Sequence, residues 1–292
     1  MNTAINTFST LEKICKDKNK KIYEIAQENM AKDGDLTIEE VRAFVKNTLL
    51  AMKEAIEVGK NCSELSMSKM CGNDSKKLQE RFANTNSLFG KTFENIITFA
   101  IATSEENIRM GKIVACPTAG SCGILPATLV AVSKELDLPE DEQINALITA
   151  GEIGRIISNK VALAGAVAGC QAECGVASAM SAAAICQLKN GTIKQIFNAV
   201  ALSIKNILGL TCDPVAGLVE VPCVKRNAFM AIHSITAVEL ALANIESKIP
   251  LDEVIDAMEQ TGALMSPTLK ESSQAGLAQT PTALKVQKEI FG

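Results

Sequence analysis

The amino-acid sequence predicts an all-α protein. Apolar residues recur at helical spacing along most of the chain, and alternating segments typical of β-strands are absent. Three predicted helices begin at capping boxes, in which Thr37, Asp137 and Thr192 are each followed three residues later by Glu or Gln. Together these features favour a bundle of amphipathic and buried helices over any fold with a sheet.

The individual helices follow from where each apolar stripe starts and stops. After Thr37 the stripe continues to Ile56 and ends at Gly59, a residue that commonly terminates helices. A further helical stretch, 127–136, follows a loop rich in proline and glycine. In chain order the strongest predictions run from Thr37 to Gly59, from Asp137 to Ile157, from Thr192 to Gly209, from Asn227 to Ile245 and from Leu251 to Met258.

Composition excludes several classes of function. The 292 residues include 29 basic and 33 acidic side chains, and 47% are hydrophobic, so the chain is neither disordered nor a charge-driven nucleic-acid binder. With only 3% aromatic residues it lacks a stacking platform for single-stranded nucleic acid. Its single histidine, His233, excludes multi-histidine metal sites and is expected to be packed rather than catalytic.

Ten cysteines are the main compositional excess. The first residues show no basic stretch followed by an apolar one, so we expect a cytoplasmic protein, whose cysteines indicate metal binding or catalysis rather than disulfides. The apolar segment 161–187 is long enough for a membrane, but it consists of small residues and contains Gln171 and Glu173. We therefore predict a buried, closely packed pair of helices there and no membrane segment.

The composition changes near Ser87. Residues before it are rich in Lys, Glu and Asn, whereas those after it are richer in Gly, Ala and Ile. This change predicts an N-terminal helical arm, residues 1–86, followed by a larger all-α domain, residues 87–292. A single domain throughout is the alternative.

The first unusual connection between helices is the segment 115–126. Its centre consists of Thr118, Ala119, Gly120 and Ser121, and a predicted helix follows it. A loop of this kind offers backbone N–H groups and hydroxyls to an anion at a helix N-terminus. An ordinary capped turn is the alternative.

Two further connections carry cysteines. Cys170 and Cys174 are four residues apart with Glu173 between them, while Cys212 and Cys223 lie beside prolines. Their spacing matches neither zinc-binding pairs nor ferredoxin motifs. Each cysteine could also be a small buried hydrophobic residue, so the residues by themselves leave a metal site open.

Taken together, these segments resemble the α subunit of the iron–sulfur L-serine dehydratases, also called L-serine ammonia-lyases. The resemblance is carried by residues 117–126, 169–173 and 208–227, and by the segment 276–282. It implies an all-helical catalytic domain with a [4Fe-4S] cluster bound by Cys170, Cys212 and Cys223. It also implies that the Thr118–Ser121 loop holds L-serine and that a separate β subunit completes the enzyme.

The chemistry that the resemblance implies is the dehydration of L-serine, with one open iron of the cluster acting as a Lewis acid on the hydroxyl group. The aminoacrylate that forms would hydrolyse to pyruvate and ammonia. The general base is left open among Glu173, Asp213, Lys160 and Lys225. Three alternatives also stay open: an L-cysteine desulfidase with the same cluster, a non-catalytic cluster-binding module, and a structural zinc protein.

Overall fold

In the computed structural model, residues 5–85 and 87–292 are described. They form thirteen α-helices and no β-strand, which confirms the predicted all-α class. Short 3₁₀ turns lie at Ala119–Ser121, Val215–Gly217, Pro267–Leu269 and Gly276–Gln279. The helices are α1 (Phe8–Lys18), α2 (Ile22–Gly34), α3 (Ile38–Asn61), α4 (Asp74–Asn84), α5 (Lys91–Ile108), α6 (Ile124–Glu135), α7 (Glu140–Ser158), α8 (Gly165–Ala168), α9 (Cys170–Leu188), α10 (Ile193–Lys205), α11 (Cys223–Leu242), α12 (Leu251–Leu264) and α13 (Pro281–Phe291).

Two of the three predicted capping boxes are present. Thr37 accepts a hydrogen bond from the Glu40 N–H group, and the Glu40 carboxylate accepts one from the Thr37 N–H group at 2.8 Å. Thr192 and Gln195 form the same reciprocal pair at the start of α10.

The predicted capping box at Asp137 is wrong. Asp137 has a left-handed backbone, with φ of 48°, and donates its N–H group to the Lys134 carbonyl, so it belongs to the turn that ends α6. The next helix begins at Glu140, with Pro139 at the N-cap. A residue in the terminating turn of one helix cannot also cap the next.

The start of α11 also differs from the prediction. The helix begins at Cys223, four residues before Asn227, directly after Pro222. Because the first N–H groups of a helix need no partner within it, the proline before Cys223 does not interrupt the helix. The earlier start places Cys223, Arg226 and Asn227 in its first turns.

The centre of the molecule is α9. Every residue of α9 except Glu173 is buried, and α6, α7, α10 and α11 pack around it. Its small alanine, glycine and serine side chains allow four helices to approach closely. No helix in the described part of the chain has the length and hydropathy to cross a membrane.

The N-terminal helices share this core. Phe8, Leu11, Ile22 and Leu49 lie in the same buried apolar cluster as Val176 of α9. In addition, α3 packs against α5 and α7. The proposed boundary between residues 86 and 87 stays a prediction.

Candidate functional site

The site begins at the first turn of α9. Gly169, with φ of 77°, brings the chain sharply into the helix, so that Cys170 is its first residue. Gln171 is fully buried and fixes this turn, because its side-chain oxygen accepts the Gly209 N–H group at 2.9 Å. Its own N–H group donates to the Leu210 carbonyl at 3.1 Å. The start of α9 is therefore held against the connection that carries the next cysteine.

Cys212 lies in that connection and is paired with a C-terminal segment. Its N–H group donates to the Leu269 carbonyl at 2.9 Å, and its carbonyl accepts the Glu271 N–H group. Cys223 follows Pro222 at the start of α11. All three thiols that the resemblance selects, those of Cys170, Cys212 and Cys223, are buried.

Cys170 and Cys212 lie in one buried cluster, and electrostatic interactions connect Cys223 to Cys170. A hydrogen bond from Cys174 lowers the pKa of Cys170 to about 7, and the charge of Arg226 acts in the same direction, against the effect of burial. Burial raises the pKa of Cys212, and the neighbouring Cys170 raises it further. Burial and Cys170 likewise raise the pKa of Cys223 to about 12. Residues that are 42 and 53 positions from Cys170 thus interact in one site.

Arg226 is a member of the site that the sequence analysis did not select. Burial favours its neutral form, but the charge of Cys170 and its neighbours outweighs this effect and raises the pKa of the Arg226 guanidinium. The same group donates to the Thr211 carbonyl at 3.0 Å and lies 3.7 Å from an Asp213 oxygen. Its position in the 208–227 motif, three residues after Cys223, could have identified Arg226 as a site residue from the sequence.

Glu173 lies between the cysteines and the loop at 118–121. Its Oε1 accepts a hydrogen bond from the Thr118 hydroxyl. A Cβ atom at Gly120 would lie 2.4 Å from Oε1, and one at Gly165 would lie 3.0 Å from Oε2 and 2.9 Å from Cys212 Sγ. Burial raises the pKa of Glu173, although the Thr118 hydrogen bond acts in the opposite direction. Both glycines therefore let the Glu173 carboxylate pack closely against the backbone, where a Cβ atom would crowd it.

The loop itself is held from two helices. Asn227 donates to the Gly120 carbonyl at 2.8 Å, and Asn107 donates to the Ala119 carbonyl at 3.1 Å. The Thr118 and Ser121 hydroxyls lie 3.0 Å apart. Within the described part of the chain, the Ala119 and Gly120 N–H groups donate to no protein acceptor, while Thr118 and Ser121 cap each other. Anion binding at this loop stays a prediction.

Of the four candidate bases, two lie in the site. Glu173 is described above, and Asp213 is buried, accepting the Leu277 N–H group at 2.7 Å. Lys160 instead forms a half-exposed ion pair with Asp256. The ammonium of Lys225 binds Asp74 at 2.7 Å and the Cys71 sulfur at 3.3 Å, outside the cysteine site. The single histidine, His233, is also engaged elsewhere: its ring Nε2 is hydrogen-bonded to the Ser203 carbonyl oxygen at 2.8 Å.

The donor set decides which metal group these residues suit. Among residues 5–85 and 87–292, no three His, Cys, Asp or Glu side chains are grouped so that they could hold a metal ion. Iron–sulfur clusters are larger than a single ion and are bound by cysteine sulfurs. Three buried cysteines with no histidine among them fit that chemistry.

Fold and site together define a class: an all-helical protein in which loops and helix N-termini bring cysteines, a partly buried carboxylate and free N–H groups close to one another. The family model for the serine dehydratase alpha chain matches residues 17–278. The chain belongs to this family, as the motif resemblance predicted.

The chain is similar over nearly its whole length to two named alpha chains. It is 43% identical to the probable L-serine dehydratase alpha chain of Bacillus subtilis, over 97% of this chain and 94% of that one. It is 38% identical to the L-serine dehydratase alpha chain of Peptoniphilus asaccharolyticus, over 98% of both. An L-serine dehydratase from Mycobacterium tuberculosis is 42% identical over 65% of this chain but only 42% of its own length.

Proposed function

We propose that this chain is the α subunit of an L-serine ammonia-lyase, which converts L-serine to pyruvate and ammonia in the cytoplasm with a separate β subunit. The observation that supports the proposal is that Cys170 and Cys212 share one buried cluster, that Cys223 interacts electrostatically with Cys170, and that the partly buried carboxylate of Glu173 lies close to Cys212. The names of the similar alpha chains support the substrate and the two-chain assembly. They favour serine over the cysteine desulfidase alternative.

The three cysteines would hold the [4Fe-4S] cluster, each from a different connection in the fold. When bound, such a cluster with one iron free of protein ligands supplies a Lewis acid for the substrate hydroxyl. Arg226 offsets part of the negative charge that the cysteine sulfurs bring into this buried site. This arrangement favours a catalytic site over the module that only stores a cluster, because a substrate loop borders it.

The substrate carboxylate would bind at the loop 119–121. The Ala119 and Gly120 N–H groups have no protein acceptor among the described residues, and Asn227 and Asn107 hold the carbonyls of Gly120 and Ala119. Preorganised N–H donors of this kind stabilise negative charge strongly in a site with little water. The Thr118 hydroxyl has a different task, since it donates to Glu173.

Glu173 is the proposed general base for the Cα proton. Thr118 holds Oε1, and Oε2 lies close to Gly165, beside Cys212. A base must first be within reach of its proton, and among the candidates only Glu173 contacts both the loop and the cysteine segment. Asp213 instead accepts the Leu277 N–H group with Oδ2, and its Oδ1, which has no hydrogen-bond partner among the described residues, lies 3.7 Å from the Arg226 guanidinium.

The test is the iron and sulfide content of anaerobically purified variants. We expect Cys170→Ala, Cys212→Ala and Cys223→Ala each to lose most of the iron that the wild-type chain binds, together with serine-dependent pyruvate release. Cys186→Ala is the matched control, because Cys186 is equally buried in α9 but packs at its far end. Cys174→Ala is a second control, because Cys174 lies beside Cys170. This variant should keep its iron if Cys174 is a neighbour of the site and not a ligand.

Wild-type iron content in any of the first three variants would remove that cysteine from the proposed ligand set. A colourless wild-type protein that contains zinc would overturn the proposal as a whole. Assays with L-serine and L-cysteine in parallel measure which substrate releases pyruvate faster.

A further inference from the structure

An open apolar groove lies outside the cysteine site, between α4, α5 and α11. Its volume is about 690 Å³. Phe229 of α11 forms one wall and is 74% exposed, although it is a large aromatic residue. The apolar lining of this α4–α5–α11 groove consists of Leu78, Phe93, Ile97, Ile101, Phe229 and Ile232.

The exposed apolar surface continues beyond the groove. Phe89 packs on Phe93 with 5.1 Å between ring centroids, and yet Phe89 is 72% exposed and the adjacent Leu88 is 88% exposed. Contiguous apolar patches of this kind are uncommon on proteins that act alone and usually mark an interaction surface. Aromatic residues are also enriched among those that dominate binding energy.

The rim of the groove is positively charged. Lys77, Arg81 and Lys225 line it, against a single carboxylate, that of Asp74. Asp74 is bound by Lys77 at 2.8 Å and by Lys225 at 2.7 Å. No carboxylate lies within 4.0 Å of the Arg81 guanidinium among the described residues. The groove is thus suited to a partner that presents apolar side chains and at least one carboxylate.

The position of the groove links it to the cysteine site. Phe229 follows Cys223 by six residues on α11, which is about 9 Å along a helix axis. Lys225, between them, joins the rim to the connection that carries Cys71. A protein bound in the groove would therefore contact the same helix that carries Cys223.

We infer that the α4–α5–α11 groove is the docking site of the β subunit, through a segment that is apolar and carries a carboxylate opposite Arg81. The inference rests on the proposed function, in which this chain is one of two subunits. The similar dehydratases of Mycobacterium tuberculosis and Escherichia coli match this chain over only 42% and 40% of their length, so more than half of each is polypeptide outside the match.

A second copy of this chain fits the groove less well. In a symmetric dimer the same patch faces itself, so the cationic rims of the two grooves would oppose each other. Opposing like charges disfavour association. An acidic partner segment relieves that repulsion and pairs with Arg81.

The experiment measures the Kd between the full-length α and β subunits by sedimentation, with Phe229→Ser and Arg81→Glu in the α chain. We expect each change to weaken binding by at least about tenfold. Phe44→Ser is the matched control, since Phe44 is 66% exposed on α3, away from the groove, and should change Kd less than about twofold. Thermal unfolding of every variant shows whether it is folded.

The outcomes separate the two proposals. Folded Phe229→Ser and Arg81→Glu variants that bind β like the wild type overturn the groove assignment and leave the proposed function intact. A wild-type α chain that binds no β subunit overturns both. Loss of α self-association in Phe229→Ser, with unchanged β binding, assigns the groove to a second copy and also overturns the inference.

Discussion

At the scale of single residues, the cost of burying Glu173 is the most informative feature of the site. A carboxylate removed from water is unfavourable unless hydrogen bonds or charges compensate, and among the described residues only the Thr118 hydroxyl donates to Glu173. Burial accordingly raises the pKa of Glu173. Side chains are missing at Gly120 and Gly165, on either side of it. A carboxylate that is costly to desolvate and has few hydrogen-bond donors is typical of a residue that acts on a ligand.

Glu173→Gln tests this role because glutamine has nearly the same size and can still accept the Thr118 hydrogen bond. If Glu173 removes the Cα proton, kcat for L-serine should fall by about 10²-fold or more. Iron content and the thermal unfolding midpoint should stay close to wild type. Two measurements test this: steady-state pyruvate release by the assembled enzyme and the iron content of the variant.

Asp213→Asn is the control for the Glu173 substitution, because Asp213 is the other acid in the site and asparagine can still accept the Leu277 N–H group. It should retain most of the activity. The reverse pattern, an inactive Asp213→Asn and an active Glu173→Gln, would transfer the role of base to Asp213.

At the scale of elements, the C-terminal segment 269–277 acts as a strap over the connection that carries Cys212. The Leu269 carbonyl and the Glu271 N–H group pair with Cys212, and the Leu277 N–H group donates to Asp213. This pairing gives the 276–282 motif a physical role, because it holds a cysteine loop in place. The strap packs closely against Asp213 at Gly276, whose φ is +62°.

We expect Gly276→Ala to destabilise the protein by about 1–2 kcal/mol or more. A left-handed backbone costs alanine about 1–2 kcal/mol, and the added Cβ atom would lie 2.4 Å from Asp213 Oδ2. Gly151→Ala is the control, since Gly151 is helical, exposed and has no atom within 4 Å of an added Cβ atom. That change should be neutral or stabilising by about 0.5–1 kcal/mol. Urea unfolding measures the stability of both variants. A Gly276→Ala variant as stable as the wild type would show that the strap tolerates a side chain at this position.

The elements also show what sequence patterns can predict. The helix starts at Thr37 and Thr192 depend on residues three positions apart, and both predictions are confirmed. The start of α11 depends on how the chain packs after Pro222, and the prediction missed it by four residues. That error concealed Arg226, because a residue before a helix is expected to be solvated, whereas one in its first turn can be aimed into a site.

The same limit applies to contacts between distant segments. The spacing of residues in the sequence could not predict that Cys170 lies near Cys212 or that Glu173 contacts Thr118. These contacts depend on how α9 packs against its neighbours. Family resemblance supplied that grouping before the structure did. Neither spacing nor resemblance separated Lys160 and Lys225 from the site, because their ion pairs with Asp256 and Asp74 join residues far apart in the chain.

At the scale of the whole molecule, hydrogen bonds connect the N-terminal helix α1 to α12, near the other end of the chain. The carboxylate of Asp252, in the first turn of α12, accepts the N–H groups of Phe8 and Ser9 at 2.8 and 3.0 Å. These are the first residues of α1, so Asp252 caps a helix that lies more than 240 positions earlier. Phe8 also packs edge-on against Phe197 of α10. The N-terminal helices are therefore tied to the domain that contains the cysteine site.

Asp252→Ala removes this long-range cap and should lower the free energy of unfolding by about 0.5–2 kcal/mol, as the loss of a helix N-cap does. Asp256→Ala, one turn further along α12, is the matched control because its ion pair with Lys160 is half-exposed. Exposed pairs contribute little, so this change should be close to neutral. Urea unfolding of the two variants gives the comparison, and limited proteolysis of folded protein should cut Asp252→Ala near α1 first. Equal stability of the two variants would mean that α1 is held by its apolar contacts alone.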